Sequence, residues 1–377
     1  MEVIFIISVF FAVYSYFIYP AILMLIPKRA HTDSESSSAS LPSVSLIITA
    51  HNEEGRIESK LLNSLELDYP SDKLEIIVAS DCSTDRTDEI VSAYSEKGVL
   101  LVRADERKGK EYAQLCAIKA STGTILVFSD VATIIQTNSL LDLVGIFADP
   151  SIGAVSSVDN FVTPDNQIVG EGAYVKYEMW LRELESEHAG LIGLSGSFFA
   201  ARKSICTEWD ILSPSDFNTA LNCAKNSLVA VSSKKIIGTY KDVKDEKAEY
   251  NRKIRTVIRG ITAISRHTTV LNPLNFGLFS FQIWSHKLMR WAVPWFLLLC
   301  FVTNLTLLNS GLFFKLTMLI QVLFYLTSII GALLPKSRES QIVRIVYYFV
   351  RTNIALAHAL VLFIFGKRIQ VWSPSKR

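Results

Sequence analysis

The sequence predicts an α/β fold, a mostly parallel sheet with flanking helices, plus transmembrane helices at both ends. Three observations carry this. Residues 44–50 and 74–80 are short, β-branched apolar runs that stop abruptly in polar and acidic residues, the mark of strands buried on both faces. Such runs alternate with stretches of helix length, the pattern of right-handed βαβ units. Half of the 377 residues are apolar and the mean hydropathy is +0.30, an excess concentrated at the two ends.

Between Glu2 and Lys28 the chain carries no charge, and this run spans roughly 30 Å of hydrocarbon as a helix. It lacks the basic start and small-residue cleavage site of a secretory signal, so residues 1–27 read as an uncleaved anchor. Lys28 and Arg29 follow, and the bias of basic residues toward the cytoplasmic side places the middle of the chain in the cytosol. Five scattered cysteines without metal-ligand spacing agree with reduced thiols. A net charge of +2 gives no sign of nucleic-acid binding.

Residues 28–43 form a Ser-rich tether. Residues 44–268 read as one cytosolic domain. Its first half has crossover helices at 54–65, 84–97 and 107–119 and a strand at 124–129. The second half is less regular: a strand at 153–158, a helix at 171–187, a turn and strand over 192–202, a helix at 217–225, a strand at 228–232 and a basic helix at 247–264. Residues 269–290 combine Phe276, Phe279 and Trp284 with His286, Lys287 and Arg290, as an amphipathic helix in a membrane interface would. Residues 291–377 form a C-terminal membrane region with spans at 291–308 and 312–334. A further segment at 345–365 is spanning or re-entrant, and its two basic flanks favour the re-entrant form.

The strand at 125–130 also ends in a carboxylate, Asp130. Ligands of open α/β sheets bind at the carboxyl ends of the strands, so these acidic ends outline one side of a nucleotide-sugar pocket. Sugar transfer from a nucleoside diphosphate requires a hold on the nucleoside, a cation against the leaving diphosphate, and a base for the acceptor hydroxyl. Asp130 is placed for the cation, Mg²⁺ or Mn²⁺, which takes one or two carboxylates and completes its shell with phosphate and water.

The order Ala50-His51-Asn52-Glu53, Asp81-Cys82-Ser83-Thr84-Asp85, Gly109-Lys110 and Phe128-Ser129-Asp130 resembles the membrane-integrated family 2 glycosyltransferases. These are inverting enzymes of the GT-A nucleotide-diphospho-sugar transferase fold, among them the cellulose, chitin, hyaluronan and poly-N-acetylglucosamine synthases. The resemblance implies that Ala50, His51, Asn52 and Glu53 border the nucleoside, that Asp81 contacts uracil or ribose, and that Lys110 sits near the diphosphate. Unaided, Lys110 reads as part of a solvated helix face. The stretch from Leu194 to Arg202 resembles the family's acceptor-side turn, with Gly196 leaving room for the accepting sugar. Asp216 falls at the family's catalytic base, although an Asp there also suits a helix N-cap. Arg255 matches the arginine of the family's Gln-x-x-Arg-Trp motif, which clamps diphosphate and acceptor. Trp372-Ser373-Pro374-Ser375-Lys376-Arg377 is close to the family's Trp-x-Pro-x-x-Arg ending.

The implied partners are a nucleotide-sugar donor, a glycan or lipid-linked acceptor, membrane lipid and other polysaccharide-synthesis or export proteins. The implied location is a cell membrane, with a multi-pass chain in a bacterial inner membrane. Three departures stand out. The metal motif is reduced to Asp130-Val131-Ala132, the acidic pair to Ser215-Asp216, and Arg252 and Thr256 replace the Gln and Trp of the last motif. They motivate an alternative, a catalytically degenerate GT-A fold that binds nucleotide or acts as a scaffold subunit.

Overall fold

The computed structural model describes residues 1–29, 40–162, 173–241 and 246–369. Most of the Ser-rich tether, the start of the helix expected at 171 and the 372–377 stretch lie outside the described residues. One sheet is built from β1 (Val44–Ala50), β2 (Leu74–Ser80), β3 (Val99–Arg103), β4 (Ile125–Asp130), β5 (Ile134–Ile135), β6 (Ile152–Val162), β7 (Phe198–Arg202) and β8 (Val229–Lys241). Their spatial order is β3-β2-β1-β4-β7-β6-β8-β5. The helices are α1 (Glu2–Leu25), α2 (Ile57–Leu65), α3 (Thr87–Ser92), α4 (Lys110–Ala120), α5 (Ser139–Ile146), α6 (Ala173–Glu187), α7 (Ser215–Lys225), α8 (Glu246–Arg266), α9 (Pro273–Thr306), α10 (Leu312–Leu333) and α11 (Gln341–Ile364).

Strands β3, β2, β1 and β4 run parallel, whereas β7 is antiparallel to both β4 and β6, and β5 is antiparallel to β8. Strand β6 is parallel to β8, so among the described residues the sheet is mixed but mostly parallel, with β7 and β5 as its antiparallel members. After α6 the chain enters β7 beside the carboxyl end of β4, Phe198 pairing with Ser129, and an apolar run carries no signal of strand direction. Strands β6 and β8 also outrun their expected lengths. Beyond Val158 their pairing continues through polar residues, Asp159 with Gly238 and Asn160 with Thr239, where no hydrophobic pattern marks a strand.

All seven residues of β1 are buried, and their alternation divides the core into two layers. Leu46 and Ile48 join Ile57 and Leu61 of α2 and Leu140 and Leu143 of α5 on one face. Ile47 joins Ala113 and Ala117 of α4 and Ala220 of α7 on the other, where Phe128 stacks on Phe199 at 4.7 Å and on Trp209 at 5.1 Å. With both faces covered, the carboxyl edge of β1, β2 and β4 is left to form a site.

Helices α1, α9, α10 and α11 are long and apolar enough to cross a membrane, by length and composition. Although far apart in sequence they pack together: Phe11 stacks on Phe296 at 5.0 Å and Phe5 meets Phe314 edge-on at 5.6 Å. Residues 273–290 are continuous with the rest of α9, bent at Gly277, whose φ of +49° favours glycine. Helix α6 ties this bundle to the sheet domain. Glu185 accepts a hydrogen bond from the Tyr19 hydroxyl at 2.7 Å and lies 2.7 Å from His286 Nδ1, while Glu178 pairs with Arg290. Burial pushes the Glu178 carboxyl up, but Arg290 and His286 outweigh it and hold the group well below the usual carboxylate range.

Candidate active site

The turn after β1 is built to meet the turn after β2. Ala50 O accepts from Asp81 N at 2.9 Å, and buried His51 places Nδ1 2.7 Å from Asp81 O. Asn52 adopts a left-handed φ of +55°, a conformation Asn tolerates, and its Oδ1 accepts from Thr84 N at 2.8 Å. Glu53 is clamped by Thr87, whose hydroxyl accepts from its N–H, and by Arg56 at 2.5 Å. Burial raises the Glu53 carboxyl and Arg56 opposes the rise. Asp85 is consumed by this joint: it accepts from Glu54 N at 3.0 Å and from the Thr87 hydroxyl at 2.5 Å. It therefore works as a loop clamp.

Asp81 is fully buried. Its Oδ1 accepts from Gly109 N at 3.0 Å, and its Oδ2 is buried without a hydrogen-bond partner. A buried, unsatisfied carboxylate oxygen is costly, and it is the kind of acceptor that an N–H or O–H of a nucleoside would satisfy. Gly109, at φ +99°, turns the chain into α4 so that Lys110 points back across the strand ends. Lys110 Nζ lies 2.5 Å from Asp130 Oδ1 and donates to Gly196 O at 2.8 Å. The solvated helix face expected of this lysine is thus corrected: Lys110 is buried and spans the site.

Lys110, Asp130 and Gly196 open onto a cleft of about 290 Å³ lined also by Glu53, Asp159, Asp216, Arg252, Arg255 and Arg259, whereas Ala50, His51, Asn52 and Asp81 are not among its walls. The turn after α6 carries Gly196 against Asp216: a Cβ added to Gly196 would stand 3.4 Å from Asp216 Oδ2. Asp216 lies in the first turn of α7, but its side chain makes no capping hydrogen bond, so the N-cap reading does not describe it. Arg252, Arg255 and Arg259 recur at three- and four-residue spacing, which puts them on one face of α8 toward the cleft. Burial and the other two arginines lower the pKa of Arg255, and Arg259 is fixed to buried Glu111 at 2.5 Å.

Reasoning from sequence missed Asp159, Glu111 and Lys60. Asp159 Oδ1 accepts from the Ser195 hydroxyl at 2.6 Å and the Ser197 hydroxyl at 3.0 Å, which steadies the acceptor-side turn. Lys60 is buried beneath β4, donating to Ser129 Oγ at 2.8 Å and Thr133 O at 2.6 Å; burial lowers its pKa to about 7 against the pull of Asp130. Helical spacing would have placed Lys60 on the apolar face of α2, an available signal.

The cleft at the carboxyl edge of the strands thus brings together a lysine, three arginines, the carboxylates Asp130 and Asp216, and a glycine. Residues 45–208 match the family described as "Glycosyl transferase family 2". An N-acetylglucosaminyltransferase of Bradyrhizobium elkanii is 30% identical over 131 residues, 34% of this chain and 72% of that protein. The chain belongs to glycosyl transferase family 2.

Other relatives match over shorter shares of their length. The probable glycosyltransferase YdaM of Bacillus subtilis is 38% identical over 121 residues, 30% of this chain and 29% of that protein. The beta-monoglucosyldiacylglycerol synthase of a Nostoc species is 28% identical over 185 residues, 45% of this chain and 38% of that protein. The chain thus spans well under half the length of these two relatives. A mannosyltransferase of Pyrobaculum calidifontis, solved in complex with GDP-Man and Mn²⁺, shares the fold over nearly the whole length: TM-score 0.73, 23% identity, 97% of this chain and 99% of that one.

Proposed function

We propose that this family 2 glycosyltransferase is membrane-bound and inverting, and that it moves a sugar from a nucleotide sugar, UDP-linked, to a glycan or lipid-linked acceptor. The observation that carries the reading is the meeting of Lys110, Asp130, Gly196, Asp216 and the α8 arginines in one cleft beside helices of membrane-spanning length. Ala50, His51, Asn52 and Glu53 border the nucleoside, and the unsatisfied Asp81 Oδ2 receives one of its donors. Arg255 and Lys110 meet the diphosphate as it leaves with its growing charge.

Among the described residues no group of three or more His, Cys, Asp or Glu is placed to hold a metal. The donor set still fits a hard cation in a reduced form, with Asp130 as the protein's carboxylate and diphosphate oxygens as the rest. Bound there, Mg²⁺ or Mn²⁺ would neutralise the leaving diphosphate. Asp216 takes the proton of the acceptor hydroxyl, whose oxygen attacks the anomeric carbon opposite the departing diphosphate; one displacement inverts the centre. Gly196 keeps the space beside Asp216 open for the acceptor. The family comparisons give no support to the degenerate alternative.

The test is a screen of nucleotide sugars with purified full-length chain, detergent-solubilised, with Mg²⁺ or Mn²⁺, reading free nucleoside diphosphate and the mass of the product. Transfer that falls about 10³-fold in Asp216→Asn, with nucleotide binding retained, is expected. Equal turnover by both proteins would refute the role of Asp216.

A further inference from the structure

Past Arg252 and Thr256, which line both spaces, the cleft adjoins a second cavity of about 330 Å³. Its walls come from α6, α8, α9 and α11 and include Tyr174, Lys253, Lys287, Trp291 and Leu356. One end is therefore cationic and beside the cleft. The other end is apolar and lies between helices long enough to cross a membrane.

The charges here do not cancel within the protein. Arg290 is paired with Glu178. Lys253 donates to the Thr352 hydroxyl at 2.9 Å, one of three bonds an ammonium can make. Lys287 makes no hydrogen bond or close ion pair among the described residues. Its Nζ stands 5.6 Å from the Phe217 ring centre and 3.9 Å from where a Cβ on Gly193 would be, with Glu185, Glu178, Arg182 and Asp216 acting on it through space. Lys253 and Lys287 are each partly exposed and line this cavity with Arg252, and the one acid on its wall besides Glu178 is Glu249, so the lining keeps a net positive charge that favours an anion.

We infer that this cavity is the acceptor's phosphate subsite. Lys253 and Lys287 hold the phosphate diester or diphosphate of a membrane lipid, the lipid chain leaves past Trp291 and Leu356, and the hydroxyl of the attached sugar or polyol reaches Asp216. The inference rests on the proposed transfer at Asp216 and names its acceptor class. The phosphate is unchanged in the reaction: the acceptor oxygen bonds the anomeric carbon, its proton goes to Asp216, and the nucleoside diphosphate departs with the bonding electrons. Phe217, the neighbour of Asp216, contacts Lys287, so a phosphate there lies one sugar's reach from the base.

The experiment uses full-length chain in neutral maltoside micelles titrated with dodecyl phosphate, with inorganic phosphate and dodecanol as comparison probes and UDP binding read in the same samples. Saturable binding of dodecyl phosphate is expected, weakened ~10-fold or more by Lys287→Gln and by Lys253→Gln, as loss of a charge-assisted hydrogen bond predicts. Lys287→Arg should bind as wild type does, and UDP affinity should stay within about twofold in all variants. Unchanged binding in both Gln variants overturns the subsite. Equal affinity for inorganic phosphate, or for dodecanol, overturns its assignment to a lipid phosphate. A loss in Lys287→Arg equal to that in Lys287→Gln would show a packing role instead. Because UDP binding is measured separately, loss of the lipid result with UDP binding intact defeats this inference and leaves the donor site standing.

Discussion

Asp81 separates two jobs that a single carboxylate can do. Its Oδ1 organises the Gly109 turn and its Oδ2 has no hydrogen-bond partner among the described residues, so on the proposed donor site substitution should act on donor affinity as well as on the turn. Asp81→Asn keeps the shape but replaces an acceptor with a donor; nucleotide affinity, followed by calorimetry, should fall about tenfold or more. Gly196 makes the complementary case at the acceptor side. The alanine Cβ would meet Asp216 Oδ2 at 3.4 Å, an ordinary contact, so Gly196→Ala should fold normally. It would occupy the space an acceptor needs, and the expected result is a raised acceptor KM with donor affinity unaltered. A parallel loss of thermal stability would refute that division.

At the scale of elements, α8 roofs the cleft and is fastened at two places. In its middle, Arg259 and Glu111 form a pair with side chains only 12% and 2% exposed. Removing one member strands a buried charge, so Arg259→Met should cost about 3 kcal/mol, and adding Glu111→Gln should recover much of it. Chemical denaturation of the two single variants and the double variant measures the coupling. At its end, Arg266 reaches Asp210 at 2.7 and 3.1 Å. Burial raises the Asp210 carboxyl, but the bonds from Arg266, Ser213 and Leu212 N win and bring it down to about 2. A depressed carboxylate stabilises the fold above its unfolded pKa near 3.8 and loses that contribution as pH falls toward 2. Asp210→Asn should therefore cost about 1–2 kcal/mol at pH 7, discounted for the exposed Arg266, and the gap to wild type should narrow below about pH 4 and close near pH 2.

At the scale of the whole molecule, the proposed membrane reading predicts that full-length chain stays in the membrane pellet after alkaline carbonate washing; release to the supernatant would refute it. The same scale shows what the sequence could report. The strand ends of β1, β2 and β4 were legible because fully buried strands are continuous apolar runs and their polar stops are abrupt. The antiparallel course of β7 and the polar extensions of β6 and β8 were not, since direction and pairing of polar residues are decided by tertiary partners. Within the site, Asp130 and Lys110 lay in motifs, but their contact with each other depends on a glycine turn that no periodicity marks. Asp159 and Glu111 were silent for a similar reason: each looks like a surface charge until the fold buries its surroundings, whereas Lys60 was signalled by its place on the apolar face of α2. Three of the four apolar helices could be read from length and hydropathy, while the last, with Arg351, Asn353 and His358 inside it and basic residues on both sides, reads as re-entrant as readily as spanning. Their assembly into one bundle could not, because nothing local links Phe5 to Phe314.

That bundle has a consequence in time. Tyr19 finds Glu185, and Glu185 finds His286, only when residues from all three regions exist. At about 5–20 residues per second, the ribosome would take roughly 15–60 s between making the first helix and making its partners. On the proposed membrane reading, α1 waits in the bilayer during that interval with Ser8, Ser15 and Tyr19 on a face that has nothing to pack against. The newborn chain is thus least protected before its last third is made, and truncation there would undo its beginning.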